Sequence, residues 1–226
     1  MNTRSFFVAV ILLLISNTIA AQTASGTKKN KFGFGVGGGL SNVFIQQTDW
    51  STSGSLYADT LNSIDAKMAA KFELILFYQI SLQDNIELRP AFSLAFDGSN
   101  VKYDRRIGAS ETLKLRGVPM IFSLPVLFKL PSTGNRFYVS GGPAFLFNVA
   151  KDEKTDNKLP LKKFDILADF SAGIDIPMKK VIVTPELKCA IGFSNLYKNN
   201  NTIYTNTIEK VRRQSVTVSL LFRDNL

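Results

Sequence analysis

Residues 181–194 alternate between two kinds of side chain, and this alternation constrains the fold more than any other feature of the sequence. The odd positions are apolar, whereas the even positions are mostly polar or small. A period of two residues predicts a β-strand with two chemically different faces. The strand is longer than is usual in soluble sheets, and it is long enough to cross a bilayer at a tilt. We therefore expect one face against hydrocarbon and the other, which carries Glu186 and Lys188, against the inside of a narrow barrel.

The same alternation recurs along the chain and predicts eight strands. They are residues 32–45, 67–82, 86–96, 112–130, 136–149, 164–176, 181–194 and 214–223. In the fourth strand, Pro119 and Pro125 interrupt a regular hydrogen-bond ladder. The first strand alternates glycine with apolar residues. Because no helix follows these glycines, we interpret them as room for bulky neighbours inside a barrel and not as a phosphate-binding loop.

The connections between these strands differ in length in a regular way. Residues 46–65, 98–110, 150–161 and 195–211 are long polar connections after the odd-numbered strands, whereas residues 83–85, 131–135 and 177–180 are short turns after the even-numbered strands. Long loops at one end and tight turns at the other are typical of outer-membrane barrels. The sequence therefore predicts an all-β fold: an eight-stranded antiparallel transmembrane β-barrel in the cell outer membrane, with both termini on the periplasmic side.

The second face of the strands carries charges of both signs. A soluble sandwich also buries one face of each strand and is the alternative. Two features oppose it: the apolar face is rich in phenylalanine on nearly every strand, and opposite charges on the other face neutralise one another when they are enclosed. In a bilayer no strand edge can stay unpaired, so the sheet must close. We predict a polar network in the lumen formed by Lys71, Glu73, Glu87, Arg89, Lys129, Asp169, Glu186 and Lys188.

The first residues of the chain predict export. Residues 1–21 contain Arg4, an apolar run and then Ala20 and Ala21, which is the layout of a secretory signal peptide cleaved after one of these two alanines. A retained anchor helix is the alternative, but the apolar run is about half as long as a membrane span. Residues 22–31 are a polar linker, and residues 32–226 form the barrel domain. No later stretch is apolar over a length that would cross a membrane as a helix.

The net charge of +9 does not predict a nucleic-acid-binding protein, because the chain is exported and its basic residues are dispersed through loops and strand faces. A basic exterior suits anionic lipid headgroups or an acidic partner. The single cysteine, Cys189, lies on the apolar face of its strand. We interpret it as an apolar filler and not as a reactive thiol.

Residue types that catalysis requires are scarce in this chain. It has no histidine, the base that a small lipase or acyltransferase uses. Asp165 and Asp169 share a strand face, and we interpret them as counter-ions for lumen cations instead of the acid pair of a protease. No His or Cys cluster offers a transition-metal site, while calcium on loop carboxylates stays open as an alternative. Side chains fill a barrel of eight strands. We therefore expect no diffusive pore, enzymatic activity, cofactor or small-molecule substrate.

Several short segments resemble the PorT family of outer-membrane barrels from the Bacteroidetes. They are Leu124-Pro125-Val126-Leu127-Phe128-Lys129, Gly141-Gly142-Pro143, residues 170–175, Pro185-Glu186-Leu187-Lys188, residues 192–196 and Ile203-Tyr204-Thr205-Asn206-Thr207-Ile208. The last segment resembles the form found in members that serve the type IX secretion and gliding system. The resemblance covers about residues 32–222, and the order and spacing of the segments are more specific than any one of them.

This resemblance implies an integral barrel that helps a periplasm-spanning apparatus to export proteins without being the conduit itself. Its partners would be outer-membrane lipid and other proteins of the secretion apparatus. In the last connection, Tyr197, Tyr204, Arg212 and Arg213 are the candidate partner-binding residues, and an ordinary solvated loop is the alternative for each. A passive structural or adhesive barrel with no part in secretion is the second class of function.

Overall fold

A computed structural model describes residues 30–47, 61–105, 110–134, 136–149, 161–198 and 208–225. These residues are almost entirely β-strand, with one short 3-10 helix at Pro131–Thr133. The predicted signal peptide, most of the predicted linker and Tyr204 lie outside the described residues. No helix within the described ranges is long and apolar enough to cross a membrane.

The described strands fall into eight antiparallel runs, which we number β1 to β8. They are β1 (Lys31–Gln47), β2 (Leu61–Lys67 and Ala69–Gln83), β3 (Ile86–Leu88 and Ala91–Arg105), β4 (Glu111–Gly117, Pro119–Ser123 and Val126–Lys129), β5 (Phe137–Asn148), β6 (Phe164–Ile174 with Ile176–Pro177), β7 (Val181–Gly192) and β8 (Ile208–Asp224). The breaks within β4 fall at Val118 and at Leu124 and Pro125. They coincide with the two prolines that the sequence predicts as interruptions, because proline donates no ladder hydrogen bond.

Each run pairs with the next along the chain, and the last pairs with the first. The seam between β8 and β1 extends from Gly33 opposite Arg223 to Gln47 opposite Ile208, with one irregularity near its loop end. The remaining pairs complete the ring from β1 through to β8. The sheet therefore closes on itself, and the predicted all-β barrel is confirmed.

Three predicted loops are wrong at their ends, because the strands continue into them. β1 reaches Gln47, β3 continues to Arg105, and β8 already begins at Ile208. The polarity of the two faces is reversed in these extensions. Val101 and Tyr103 point inward and are fully buried, whereas their neighbour Lys102 is partly exposed. The outward residues meet water there and not lipid, so the extensions read as polar loops in the sequence.

The inward side chains of the extensions form a compact apolar cluster, which we call the loop-end core. It consists of Val43, Ile64, Val101, Tyr103, Leu196, Ile208 and Val211. The segment after β7 joins it through backbone hydrogen bonds from the Leu196 amide to Val211 (2.9 Å) and from the Lys162 amide to Leu196 (2.8 Å). Asn195 fixes this segment, because its Oδ1 accepts from the amides of Tyr197 and Val211, each at 3.1 Å. The loop end of the barrel therefore has a hydrophobic core of its own.

Candidate functional site

The outer surface of the barrel is an apolar band. Outward residues from every run are large, hydrophobic and exposed, among them Phe32 (61% exposed), Phe170 (55%) and Val218 (59%). Along β7 and the residue that follows it, this series runs from Val181 to Phe193, and a strand of that length tilted by about 40° rises about 30 Å. An outward apolar band of about 25 Å is what a membrane barrel presents to lipid. A soluble protein would bury such a surface.

The inside of the barrel begins, at the turn end, with a cluster of ionic and amide groups. Arg223 donates to the Asp175 carboxylate and to the Gln79 side-chain oxygen, and the Gln79 amide donates to Glu87. The Lys129 Nζ lies 2.8 Å from Glu87 Oε1 and 3.8 Å from Asp175 Oδ2. These five side chains come from β2, β3, β4, β8 and the residue between the two segments of β6. The cluster therefore ties opposite walls of the barrel together.

Above this lies a second cluster, which we call the central triad: Arg89, Tyr138 and Glu186. Arg89 donates to the Glu186 carboxylate and, at 3.0 Å, to the Tyr138 hydroxyl. The Tyr138 hydroxyl in turn donates to Glu186 Oε2 at 2.6 Å. The register explains how the ring fits, because Tyr138 lies opposite Gly173, where a Cβ would come within 2.5 Å of the hydroxyl. Glycine at this position allows the tyrosine to extend across the lumen.

A third cluster surrounds Glu73, whose side chain is completely buried. Lys188 donates from Nζ to Glu73 Oε1 at 2.6 Å, and the Lys71 Nζ lies 3.0 Å from Oε2. Asp169, which is 5% exposed, completes the cluster. Towards the loop end, Arg213 forms an ion pair of 2.7 Å with Asp97. Beside it, the apolar side chains of Ala95, Ile121, Ala144, Leu146 and Leu167 fill the space.

Among the described residues, two interior cavities at mid-depth have volumes of about 10 Å³ and 30 Å³. Each holds one or two waters at most, because a single water needs about 10–15 Å³ of such volume. The described interior is thus filled by ion pairs, hydrogen bonds and apolar contacts. Each of these two cavities is much smaller than a metabolite.

These features, a closed sheet with lipid-facing apolar residues and a packed polar interior, are those of an outer-membrane barrel. The family model described as the outer membrane protein beta-barrel domain matches residues 20–198. The chain belongs to this family. The matched region ends before β8, the strand that closes the barrel.

The chain is also similar, at low identity, to solved structures of other outer-membrane proteins. The outer membrane protein OprG from Pseudomonas aeruginosa is 12% identical, with 85% of this chain and 94% of that chain covered and a TM-score of 0.43. The outer membrane protein AlkL in DMPC bilayers is also 12% identical, with 90% and 95% covered and a TM-score of 0.42. Ail, the attachment invasion locus protein of Yersinia pestis, is 10% identical, with 86% and 99% covered and a TM-score of 0.32. None of the curated proteins matches the chain.

The residues predicted for the lumen network all lie inside the barrel. Closeness in the sequence does not by itself decide how they pair. Glu186 and Lys188 are two residues apart on one face of β7, yet Glu186 binds Arg89 whereas Lys188 binds Glu73. These two neighbours on β7 therefore pair across the lumen with different strands, whereas Lys71 pairs with Glu73 along β2.

Five further members of the network were not selected from the sequence: Gln79, Asp97, Tyr138, Asp175 and Arg223. Their inward parity on the predicted strands was a signal that could have found them. Parity alone does not distinguish a residue that reaches a partner from one that only lines the wall. Among the described residues, no group of three or more His, Cys, Asp or Glu side chains could hold a metal ion.

The candidate partner-binding residues are distributed over different environments. Tyr197 is half-buried against the loop-end core, and its backbone bridges to Leu161. Arg212 and Arg213 belong to β8 and not to a loop, and Arg213 is committed to Asp97 inside the barrel. Tyr204 lies outside the described residues. Tyr197 and Arg212 are therefore the described candidates at the loop end that a partner could reach.

At this end, beyond the apolar band, Lys102 forms an ion pair of 2.8 Å with Asp104. The hydrogen bond from Lys102 lowers the pKa of the Asp104 carboxyl below its usual value. Both side chains are partly exposed. This ion pair lies at the surface, unlike the buried ion pairs of the lumen.

Proposed function

We propose that this barrel is a non-enzymatic accessory component of a protein secretion apparatus of the type IX class, anchored in the outer membrane. The observation that carries the proposal is the packed interior. The central triad and the pairs around Glu73 occupy the lumen at mid-depth, so the barrel itself has no room for a polypeptide in transit. Its activity must then depend on its rims and on the proteins that bind there.

The resemblance to the PorT family supports the choice of secretion over other functions of small barrels. Two of the resembling segments contain residues that the packing of the barrel requires. Gly142 lies where a Cβ would overlap the backbone of Leu124 and Pro125, and Glu186 belongs to the central triad. These segments therefore maintain the barrel, and the specific secretion function rests on the segment of residues 203–208, of which Ile208 alone lies within the described ranges.

We propose the loop end as the surface that partners contact, with both termini on the periplasmic side. Tyr197 is held in place by the hydrogen bonds of Asn195 and by its bridge to Leu161. A partner would therefore meet a preorganised surface at this position, which reduces the entropy cost of binding. Arg212 lies nearby on β8, opposite Phe44 of β1.

Deletion of the gene in its native host tests the proposal. Proteins that carry C-terminal sorting domains should accumulate in the periplasm of the deletion strain and reappear outside on complementation. A strain complemented with the Tyr197→Ala and Arg212→Ala double variant should show partial loss of secretion at unchanged barrel abundance. Lys102→Ala, a change in another exposed side chain at the same end, is the matched control.

Normal secretion in the deletion strain would refute this function. A passive structural or adhesive barrel would then be the better assignment. In that case trimming residues 199–207 should change the binding of cells to surfaces while secretion stays normal.

A further inference from the structure

Lys188 connects two strands that are not neighbours in the barrel. It lies on β7, and its Nζ donates to Glu73 of β2 at 2.6 Å. β8 and β1 lie between these two runs in the ring. The contact therefore crosses the lumen, and the Lys188 side chain is only 13% exposed.

A second acceptor lies on the strand next to Lys188. In the register of β6 and β7, Ser171 is opposite Lys188 and Asp169 is opposite Ala190. Asp169 is thus the diagonal neighbour of Lys188 on the same inward face, at a separation that long side chains span. Asp169 is 95% buried, and among the described residues its Oδ1 has no hydrogen-bond partner. A buried carboxylate oxygen without a partner is costly.

The charges at this level allow Lys188 to exchange acceptors. Glu73 has a second cation, because the Lys71 Nζ lies 3.0 Å from Oε2. If Lys188 leaves Glu73, the buried Glu73 carboxylate keeps the Lys71 pair. Asp169 would gain an ion pair in the same step. The number of ionic contacts made by Lys188 is the same before and after the exchange.

Lys188 and Asp169 border two small spaces in the lumen. The cavity of about 10 Å³ and the cavity of about 30 Å³ are both lined by Lys188 and Asp169. The first extends towards Arg213, and the second extends towards the central triad at Arg89 and Glu186. The two side chains therefore form part of the boundary between two water-sized spaces.

We propose that Lys188 alternates between two ion pairs. In the first position it holds β7 to β2 across the lumen through Glu73. In the second it binds Asp169 on the adjacent β6, the cross-lumen contact is released, and the two cavities join. This exchange at mid-depth makes or releases an ion pair between opposite walls of the barrel. The net charge of the lumen stays the same.

A thermodynamic cycle on the full-length protein in detergent micelles tests this proposal. Glu73→Gln alone should raise the unfolding equilibrium constant because Lys71 loses its carboxylate, but by less than a change that also removes the second acceptor of Lys188, since Lys188 then moves to Asp169. Adding Asp169→Asn removes the second acceptor. The effect of both changes together should exceed the product of the single effects by about fivefold or more, since side chains that share a partner are not additive. In a Lys188→Met background this excess should disappear.

The matched control pairs Asp175→Asn with Asp169→Asn. Asp175 belongs to the turn-end cluster with Arg223. The change in the unfolding equilibrium constant of the double variant should therefore equal the product of the two single changes to within about twofold. If Glu73→Gln does not fold, the Lys71→Met and Glu73→Gln double variant removes the unpaired lysine and serves in its place. A crystal structure of the variant that folds should show the Lys188 Nζ within hydrogen-bond distance of Asp169. A multiplicative Glu73–Asp169 cycle, or an Nζ that stays away from Asp169, would overturn the proposal.

Discussion

The central triad gives the sharpest prediction about what holds the barrel together. Glu186 is the common acceptor for Arg89 and for the Tyr138 hydroxyl, and both Arg89 and Glu186 are more than nine-tenths buried. Glu186→Met removes the acceptor and leaves the arginine charge without a partner in the lumen. Breaking a buried pair in this way costs about 3–5 kcal/mol of the free energy of unfolding.

Restoring charge balance should recover most of that loss. In the Arg89→Met and Glu186→Met double variant, no charge is stranded and the Tyr138 hydroxyl alone lacks a partner, which costs about 1–3 kcal/mol. Adding Tyr138→Phe removes the unsatisfied hydroxyl. The triple variant should therefore come within about 1 kcal/mol of the wild type, because apolar replacements of a buried pair are often neutral.

Urea titrations in detergent micelles, followed by the electrophoretic mobility of the folded barrel, give the three free energies. The control is Lys102→Ala, which breaks a partly exposed ion pair and should cost no more than about 1 kcal/mol. Alanine at both Glu186 and Lys188 should lower heat resistance well beyond this control. If Glu186→Met were as stable as the wild type, or if the triple variant were no more stable than Glu186→Met, the reasoning about stranded charge would be refuted.

Three further changes probe the lipid face, the tight inner face of β1 and the loop-end core. Val218→Arg, in the apolar band, should cost about 2–4 kcal/mol on folding into lipid vesicles, whereas Gln214→Arg at the rim should cost about 0–1 kcal/mol; equal costs would contradict the placement of the band. Gly33→Val should impair folding in pulse-chase gels, because a Cβ there overlaps the Phe77 ring, and normal folding yield would oppose this. Leu196→Ala, at a position 1% exposed, should cost about 2–5 kcal/mol in urea titrations; a loss below 0.5 kcal/mol would mean that the loop-end core is not tightly packed.

The strands within the membrane could be predicted because lipid and lumen impose opposite demands on alternate residues. Phe170 and Val218 face lipid, and Glu186 faces the lumen, as period-two alternation requires. The prediction failed where the surroundings change. Past the apolar band, Val101 and Tyr103 are buried inside and Lys102 faces outward, so the pattern reverses and resembles a polar loop with scattered apolar residues.

Alternating side chains and the regular lengths of the connections determined by themselves that this chain forms an all-β membrane barrel with a charged interior. Only the tertiary structure decided which charges meet. Glu186 binds Arg89, and Lys188 binds Glu73, because closing the ring brings β7 face to face with β3 and β2 across a lumen a few side chains wide. Parity fixes the direction in which a side chain points, whereas its partner depends on the stagger and curvature of the closed sheet, to which every strand contributes.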